Sequence, residues 1–294
     1  MTNDVTQVPD SAVTGLERFS LQGRRALVTG ASRGIGAALA VAFAGAGADV
    51  ALCARSAMAL EAVAGTIREM GRRALAIPCD VVRSQEVAAA VERAWAELGP
   101  IDVLVNNAGG PLFQAPFLEV REEGWNRILD LNLTSVFRFS QQVGGRMVER
   151  QSGSIVNVAS VLPTRVWPAI AGYSAAKAGV LSLTQTLAVE WGGAGVRVNA
   201  LCPGWIRTGL NRAYTDDRAR AATAIDAVPL ARWGEPDDLI GPAIWLASNA
   251  SRYVTGAIIP IDGGLAVGQP EQWRQAMRLV GRNADHGAPD WGPD

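Results

Sequence analysis

Short apolar runs alternate with longer stretches of helical periodicity along most of the chain. Seven runs rich in aliphatic residues predict strands, at residues 25–29, 49–53, 74–78, 103–106, 154–159, 197–201 and 257–261. Most of these runs lack the apolar–polar alternation of a strand with one solvent-exposed face. They are therefore expected to be buried on both faces, as the strands of a parallel sheet are.

Six longer stretches between the strands predict helices, at residues 35–46, 56–70, 84–98, 122–150, 173–191 and 236–248. Regular alternation of strands and helices implies right-handed crossovers between parallel strands. The pattern predicts an α/β, Rossmann-like fold: a doubly wound, mostly seven-stranded parallel sheet with helices on both faces, in a single domain.

Three segments lie outside this alternation. Residues 1–20 are expected to form a flexible N-terminal extension, and residues 266–294 a C-terminal tail with one short helix at 271–280. Residues 204–235, called the substrate loop below, contain no predicted strand, although 216–227 could form a short helix. Loops of this length are usually functional. The domain itself is expected to span residues 21–265.

Composition and charge exclude several classes of function. The 27 basic and 28 acidic residues give a net charge of −1, so no long-range field attracts nucleic acid or an anionic membrane. Cys53, Cys79 and Cys202 form no metal-binding or disulfide pattern, which predicts reduced thiols in a cytoplasmic protein without a metal. The one histidine, His286, lies in the polar tail, which argues against catalysis by histidine. Residues 1–20 do not resemble a signal peptide.

A glycine-rich segment at residues 27–36 follows the first predicted strand and opens the first predicted helix. Glycines at positions 30, 34 and 36 permit a tight turn and close backbone approach. The helix N-terminus then offers free N–H groups and the positive end of its dipole to a pyrophosphate. Such a turn is weak evidence on its own, but its place between strand and helix predicts a dinucleotide site.

Two arginines bear on whether the dinucleotide is NADP(H) or NAD(H). NAD-specific sites generally place an acidic residue at the end of the second strand, to bind the ribose 2′-hydroxyl. Here Ala54 holds that position, Arg55 follows it, and Arg33 lies inside the glycine turn. Two guanidinium groups suit a 2′-phosphate, so NADP(H) is favoured over NAD(H). The alternative is that both are solvated surface charges.

Tyr173 and Lys177 are spaced four residues apart at the start of a predicted helix. This spacing puts both side chains on one helical face. A nearby ammonium lowers the pKa of a phenol, which can then exchange a proton with a reacting oxygen. An exposed pair of helical residues is the alternative interpretation.

Ser160 and Asn132 extend this candidate site. Ser160 follows the fifth predicted strand, at the carboxyl edge where open α/β sheets bind ligands. Its hydroxyl could hold a substrate oxygen beside the tyrosine, or satisfy the backbone of the turn. Asn132 falls on the apolar stripe of its helix, so it needs partners: it is either structural or part of a proton relay.

These motifs together resemble the short-chain dehydrogenase/reductase family, in its short single-domain branch, over residues 21–265. The resemblance rests on the glycine motif at 29–36, Asp80 with Val81, the Asn-Asn-Ala-Gly stretch at 106–109, Asn132, Ser160, Tyr173 with Lys177, Pro203-Gly204 with Thr208, and Asp262-Gly263-Gly264.

The resemblance implies an oxidoreductase that transfers a hydride between NADP(H) and a carbonyl or secondary alcohol. Tyr173 would be the general acid/base, Ser160 would polarise the carbonyl, Lys177 would bind the nicotinamide ribose, and Asn132 would hold a water. The cofactor-binding residues would be Gly30, Ser32, Arg33, Ile35, Gly36, Arg55, Asp80, Val81, Asn107, Ala108, Gly109, Tyr173, Lys177, Pro203, Gly204, Ile206 and Thr208. A homotetramer or homodimer built through the helices at 122–150 and 173–191 is implied as well.

The substrate remains open at this stage. The expected pocket residues, Leu162, Trp167, Trp205 and Tyr214, are apolar or aromatic, whereas Arg165 and Arg207 could clamp a carboxylate. Among enzymes, a 3-oxoacyl reductase, a ketone reductase and a sugar-acid (gluconate-type) dehydrogenase all stay possible. Epimerisation or dehydration on the same scaffold is a first rival. A redox-sensing or scaffold protein that binds nucleotide with little turnover is the second.

Overall fold

Seven parallel strands form one sheet in the computed structural model, which describes residues 15–268. The strands are β1 Arg25–Thr29, β2 Asp49–Ala54, β3 Ala74–Pro78, β4 Val103–Asn106, β5 Gly153–Val158, β6 Val196–Pro203 and β7 Ile258–Ile261. Their order is β3-β2-β1-β4-β5-β6-β7, and every pairing is parallel. The predicted fold class is confirmed.

Nine α-helices connect or flank the strands within the described part of the chain. They are α1 Gly34–Gly45, α2 Ala57–Glu69, α3 Ser84–Leu98, α4 Glu122–Leu129, α5 Ser135–Glu149, α6 Ala171–Gly192, α7 Arg212–Thr215, α8 Arg218–Asp226 and α9 Ile240–Ala247. The helix predicted at 271–280 lies outside the described residues. In the segment predicted as an N-terminal extension, Glu17–Phe19 form a 3₁₀ turn.

The five central strands, β2, β1, β4, β5 and β6, are buried on both faces, which explains their unbroken apolar runs, whereas the edge strands β3 and β7 are only partly buried. In β1, Val28 belongs to the apolar cluster on one side of the sheet, together with Phe43 of α1. Its neighbour Leu27 belongs to the cluster on the other side, with Phe139 of α5. All four side chains are buried.

Strand order reverses direction between β1 and β4, because the chain first builds outward to β3 and then returns to the other side of β1. In open α/β sheets this reversal opens a crevice at the carboxyl ends of the strands, where ligands bind. The glycine turn follows β1 and the Asn-Asn-Ala-Gly stretch begins at the end of β4. Both motifs therefore lie at the crevice.

The prediction of one continuous helix over residues 122–150 is wrong. A π-helical turn, Asp130–Thr134, separates α4 from α5. Asn132 lies within this turn, and its amide donates to the carbonyls of Ile128 (2.9 Å) and Gly110 (3.1 Å). A π turn inserts one residue and is frequent at functional sites. The apolar stripe continues on both sides of the insertion, so the periodicity gave no sign of it.

The substrate loop contains more structure than expected. A parallel β-bridge joins Ile206 to Gly234, so the two ends of the loop lie side by side. The helix predicted at 216–227 is present as α8, but the short helix α7 was not predicted. The residues before α9 form a 3₁₀ turn, Pro236–Leu239, where a helix was expected. Reciprocal capping between Glu235 and Asp238 explains this turn.

Candidate active site

The turn between β1 and α1 is shaped by glycines that no other residue could replace without displacement. Gly30 has a φ of 65° and Gly34 a φ of 57°, values that favour glycine. A Cβ at Gly30 would lie 2.8 Å from the Asn107 amide nitrogen, and one at Gly36 would overlap the Gly30 carbonyl oxygen. Glycine at positions 30 and 36 therefore lets the turn and the start of α1 pack directly against each other and against Asn107.

This cradle fits an anionic dinucleotide. No acidic residue occupies the first turn of α1, so the free N–H groups and the dipole face no competing negative charge. Ser32 is half-buried and Arg33 is exposed. Ile35 packs against the core beneath the turn. Thr208, from the substrate loop, lies across the turn, since its Cγ2 is 3.4 Å from the Cβ position of Gly34.

Replacing Gly36 by alanine is expected to weaken NADPH binding by about 5- to 150-fold, because overpacking costs roughly 1–3 kcal/mol. The added methyl would overlap the Gly30 carbonyl and the Asn107 amide, both fixed by neighbouring bonds. Fluorescence titration with NADPH measures the effect. Gly65→Ala in α2 is the matched control, since a Cβ there meets nothing within 4 Å. Equal affinities for the two variants would contradict this view of the turn.

Arg33 and Arg55 are both exposed. Arg33 immediately precedes α1 and Arg55 immediately follows β2, so both belong to the same edge of the sheet. Among residues 15–268, neither guanidinium forms an ion pair. Two unpaired cations at the crevice suit a phosphate.

Thr29 and Asn107 hold the strand ends together at the crevice. The Thr29 hydroxyl accepts from the backbone N–H groups of Asn107 and Ala108, each at 3.0 Å. The Asn107 amide donates to the carbonyls of Thr29 (2.9 Å) and Gly30 (3.3 Å). Asn107 thus anchors the glycine turn, and its side-chain amide is already engaged in the fold.

Asp80 and Val81 follow β3, the neighbour of the strand β2 that Arg55 follows. The Asp80 carboxylate accepts from the Val82 N–H at 3.3 Å, and the Asp80 N–H donates to Glu86 at 2.8 Å. Val81 is buried. Asp80 and Val81 therefore lie in a hydrogen-bonded turn at the carboxyl edge of the sheet.

The segment after β6 is fixed beside β7. The Gly204 N–H donates to the Ile261 carbonyl at 3.0 Å, and a Cβ at Gly204 would lie 2.8 Å from the Asp262 side chain. Pro203 and Ile206 are buried. The close contact with Asp262 explains why a glycine stands at position 204.

The candidate catalytic residues converge at the crevice. Ser160 follows β5, Tyr173 and Lys177 lie in the first turns of α6, and all three are buried. The Ser160 hydroxyl accepts from the Leu162 N–H at 3.2 Å, and its interaction with the Tyr173 phenol favours a lower pKa of that phenol. From the Cβ position of Gly109, Asn132 Oδ1 is 2.7 Å away and Lys177 Nζ is 3.3 Å away. The four side chains that the sequence nominated thus share one region.

Asn132 is fully engaged by protein groups. Besides its two donated bonds, its Oδ1 accepts from the Gly110 N–H at 2.8 Å. The side chain therefore ties the π turn to the loop after β4. Both amide hydrogens of Asn132 are used in these bonds.

Lys177 directs its ammonium to the backbone. Nζ donates to the Val158 carbonyl at 2.7 Å, and it lies 5.7 Å from the centroid of the Tyr173 ring. Burial lowers the pKa of Lys177 to about 8. Burial also raises the pKa of Tyr173 to about 12, although its bond with Ser160 opposes the rise. The pKa of Tyr173 is therefore raised and not lowered as the sequence predicted, with burial as the main cause.

Lys177 is the single lysine of the chain, which makes its titration directly measurable. In protein labelled with ¹⁵N-lysine, one side-chain signal is expected to titrate with a pKa of about 8. Between that value and the usual 10.5, the unfolded chain binds more protons at this site than the folded protein, so stability from this group increases as the pH rises. Titration near 10.5 would contradict the burial of the ammonium.

Aromatic side chains form the wall beside Tyr173. Trp167 and Leu162 pack against the buried group of Ile128, Ile170 and Tyr173, together with Phe113. Trp205 stacks edge-on against Trp167 at 5.6 Å, and it also contacts Tyr214 at 5.2 Å. All four predicted pocket residues are thus brought together.

Sequence reasoning missed three residues of this wall. Trp233 packs against Trp205 at 5.6 Å, Phe113 joins the cluster around Tyr173, and Leu210 lies 2.8 Å from the Cβ position of Gly110. All three come from irregular segments without periodicity. Only one feature of the sequence points to Trp233 and Leu210: both lie within the substrate loop, whose length predicts a functional role.

Membrane-spanning helices and metal sites are two further features to consider in the described residues. No helix among them is long and apolar enough to cross a membrane. No group of three or more potential metal ligands occurs in residues 15–268. Cys53, Cys79 and Cys202 are buried free thiols.

Comparisons with known proteins bear on the family of the chain. A family model described as enoyl-(acyl carrier protein) reductase matches residues 30–266. The chain is 41% identical over 251 residues to 2-dehydro-3-deoxy-D-gluconate 5-dehydrogenase of Pseudoalteromonas atlantica, an alignment covering 85% of this chain and 98% of the relative. It is 38% identical over 249 residues to 5-keto-D-gluconate 5-reductase of Escherichia coli, with coverages of 85% and 98%.

Solved structures show the same similarity. A gluconate 5-dehydrogenase from Burkholderia cenocepacia, in complex with NADP and tartrate, matches with a TM-score of 0.82 and 40% identity, covering 86% of this chain and 99% of the other. A gluconate dehydrogenase homologue from Agrobacterium tumefaciens matches with a TM-score of 0.83 and 37% identity, with coverages of 85% and 99%.

Proposed function

The chain belongs to the short-chain dehydrogenase/reductase family of oxidoreductases acting on CH–OH and C=O groups, and from this premise we propose that it is an NADP(H)-dependent enzyme with Tyr173 as general acid/base. The observation that carries the proposal is that the buried Ser160 and Tyr173 side chains lie close enough for Ser160 to affect the pKa of the phenol, with Lys177 Nζ 5.7 Å from the centroid of the Tyr173 ring. This arrangement lies at the carboxyl edge of the sheet, where a substrate oxygen would meet both hydroxyls.

The residues of the chain supply the proton chemistry. When bound, the nicotinamide supplies the hydride that adds to the carbonyl carbon, or accepts it in the reverse direction. Because the pKa of Tyr173 is raised to about 12, its phenol is protonated at neutral pH and can donate to the developing alkoxide. The Ser160 hydroxyl donates to the same oxygen and stabilises the charge that develops there. The Lys177 ammonium stabilises the tyrosinate that remains.

The cofactor preference rests on Arg33 and Arg55. Both are exposed cations without an ion-pair partner in residues 15–268, and Ala54 stands where an acid would select the ribose hydroxyl. A relative of 40% identity has been crystallised with NADP. We therefore propose that the glycine turn, residues 107–109 and residues 203–208 hold the dinucleotide, with the two arginines at its 2′-phosphate.

We further propose a cytoplasmic homotetramer or homodimer. Val189 on α6 and Phe137 on α5 expose apolar side chains, at 85% and 46%. Large apolar groups on neighbouring helices are typical of a surface that another subunit covers. Sedimentation of the full-length protein tests this proposal, and a monomer at micromolar concentration would contradict it.

The enzymatic proposal is tested with NADPH and a panel of carbonyl compounds. The names of the relatives refer to gluconate-type acids, so 5-keto-D-gluconate belongs in the panel beside neutral ketones. We expect loss of NADPH absorbance with one alcohol formed for each NADPH consumed. Tight binding of NADPH without turnover of any member would instead support the redox-sensing or scaffold alternative.

A further inference from the structure

The inner part of the wall beside Tyr173 is formed by apolar and aromatic side chains. Tyr173, Ile128 and Ile170 form a buried group, and the half-buried Phe113, Leu162 and Trp167 pack directly against it. These side chains come from four separate segments: the loop after β4, helix α4, the segment between β5 and α6, and the first turn of α6. When a substrate oxygen reaches Tyr173, the neighbouring atoms of the substrate must therefore lie against an apolar surface.

The apolar surface continues into the substrate loop. Trp205 bridges Trp167 on one side and Trp233 on the other, with ring centroids 5.6 Å apart in both cases. Both contacts are edge-to-face, the arrangement that aromatic pairs prefer. Trp167, Trp205, Tyr214 and Trp233, called the aromatic cluster below, thus form one continuous packed unit, not isolated exposed rings.

Three polar side chains around this cluster already have partners, whereas the buried Trp233 Nε1 has none among the described residues. The Tyr214 hydroxyl and the Gln114 amide hydrogen-bond to each other at about 3.1 Å. The Thr164 hydroxyl donates to the Val161 carbonyl at 2.8 Å. A polyhydroxylated substrate would have to break such bonds or leave its own hydroxyls unsatisfied, and either outcome weakens binding.

The two arginines that could clamp a carboxylate are engaged as well. Arg165 donates to the Gly268 carbonyl at 2.8 Å, which ties it to the segment after β7. Arg207 is paired with Glu235 at 2.9 Å. A substrate carboxylate at Arg207 would lie beside the Glu235 carboxylate and be repelled by it. The Arg207 charge is therefore already paired with a carboxylate, and Arg165 is held by a backbone carbonyl on one of its amino groups.

We propose that the substrate is a neutral ketone, or the corresponding secondary alcohol, that carries an aromatic or bulky aliphatic group against the aromatic cluster. This inference rests on the proposed oxidoreductase function and deepens it. Such a substrate differs from the gluconate-type acids to which the names of the relatives refer. An apolar group fills the wall without leaving buried polar atoms unpaired, whereas a sugar acid brings several hydroxyls and a charge.

The test compares two probes on the NADPH-loaded, full-length enzyme. 2-Tetralone is the neutral bicyclic ketone and 5-keto-D-gluconate is the charged, hydroxylated one. We expect kcat/KM to be at least about 100-fold higher for 2-tetralone, because unpaired hydroxyls and an unpaired carboxylate are costly to desolvate. Binding of both probes to the NADP⁺ complex of Tyr173→Phe, followed by tryptophan fluorescence, gives a second readout that needs no turnover.

Variants locate the effect at the cluster. Trp167→Ala is expected to lower kcat/KM for 2-tetralone by about tenfold or more, mainly through KM, since buried tryptophans dominate apolar recognition. Trp167→Phe should restore most of the loss, and NADPH affinity should stay unchanged in both. Val166→Ala is the matched control, because Val166 is the neighbouring residue and is 79% exposed.

The possible outcomes separate the two levels of the proposal. Preferred turnover of 5-keto-D-gluconate, lost in Arg165→Gln or Arg207→Gln, would overturn the neutral-substrate inference and leave the oxidoreductase function standing. Selective binding of 2-tetralone without turnover of any carbonyl would keep the inference about the pocket and overturn the function. Failure of 2-tetralone to bind or react would overturn the inference, as would an unchanged kcat/KM in Trp167→Ala.

Discussion

Replacing Tyr173 by phenylalanine is expected to lower kcat by about 10²–10⁴-fold, the usual contribution of a positioned proton donor. The variant removes only the hydroxyl, and the aromatic ring keeps its packing against Ile128 and Ile170. Because the phenol contacts Ser160 and not the glycine turn, NADPH affinity should remain unchanged. Stopped-flow oxidation of NADPH by a saturating ketone measures the chemical step separately from binding.

Tyr253→Phe supplies the matched control for this experiment. Tyr253 is fully exposed and precedes β7, so it lies at the amino-terminal end of the strand and away from the crevice. The control should keep the activity of the parent enzyme. If Tyr173→Phe retained near-normal turnover, another group would have to donate the proton, and the assignment of the phenol would be wrong.

Replacing Arg55 by aspartate is expected to weaken NADPH binding by about 10–100-fold, while NADH binding changes little. A charge-assisted bond to a phosphate contributes roughly 1.5–3 kcal/mol, and each 1.4 kcal/mol corresponds to tenfold in affinity. The introduced carboxylate also repels a 2′-phosphate and can accept from a ribose 2′-hydroxyl. Fluorescence titration with each nucleotide gives the two dissociation constants.

Arg252→Asp is the control for the charge change itself. Arg252 is exposed like Arg55, but it lies before β7 at the opposite end of the sheet. It should leave both affinities unaltered at a given ionic strength. A parallel loss of NADPH and NADH affinity in Arg55→Asp would contradict the 2′-phosphate assignment and favour a general effect on the turn.

The sheet was largely readable from the sequence because burial on both faces produces continuous apolar runs. β1, β3 and β4 have the predicted bounds, and the other strands differ only at their ends. Strand ends are decided by single hydrogen bonds such as that of the Ala159 N–H to the Leu201 carbonyl. The sequence of an apolar run does not show which residue makes the last of these hydrogen bonds.

The π turn at Asn132 shows where periodicity fails. Ile128 and Val136 both lie on buried positions, so the stripe appears continuous across the insertion. What widens the turn is a set of tertiary bonds between Asn132 and Gly110, which lies 22 positions away in the chain. A partner that distant is invisible to any local pattern.

The candidate site was predictable in its residue types but not in its electrostatics. Spacing places Tyr173 and Lys177 on one face of α6, and the structure keeps them neighbours. Spacing does not reveal that the ammonium binds the Val158 carbonyl or that burial controls both pKa values. In the same way, nothing in the order of Trp167, Trp205 and Trp233 shows that they pack together, because that contact depends on the path of the substrate loop.

A crystal structure of the enzyme with NADP⁺ and a bound ketone tests most directly whether one oxygen is held by both hydroxyls. The account predicts the carbonyl oxygen within about 3.2 Å of both Tyr173 Oη and Ser160 Oγ, with the pyrophosphate at the N-terminus of α1 and the adenosine phosphate between Arg33 and Arg55. A dinucleotide bound elsewhere, or a carbonyl oxygen out of reach of Tyr173, would contradict it.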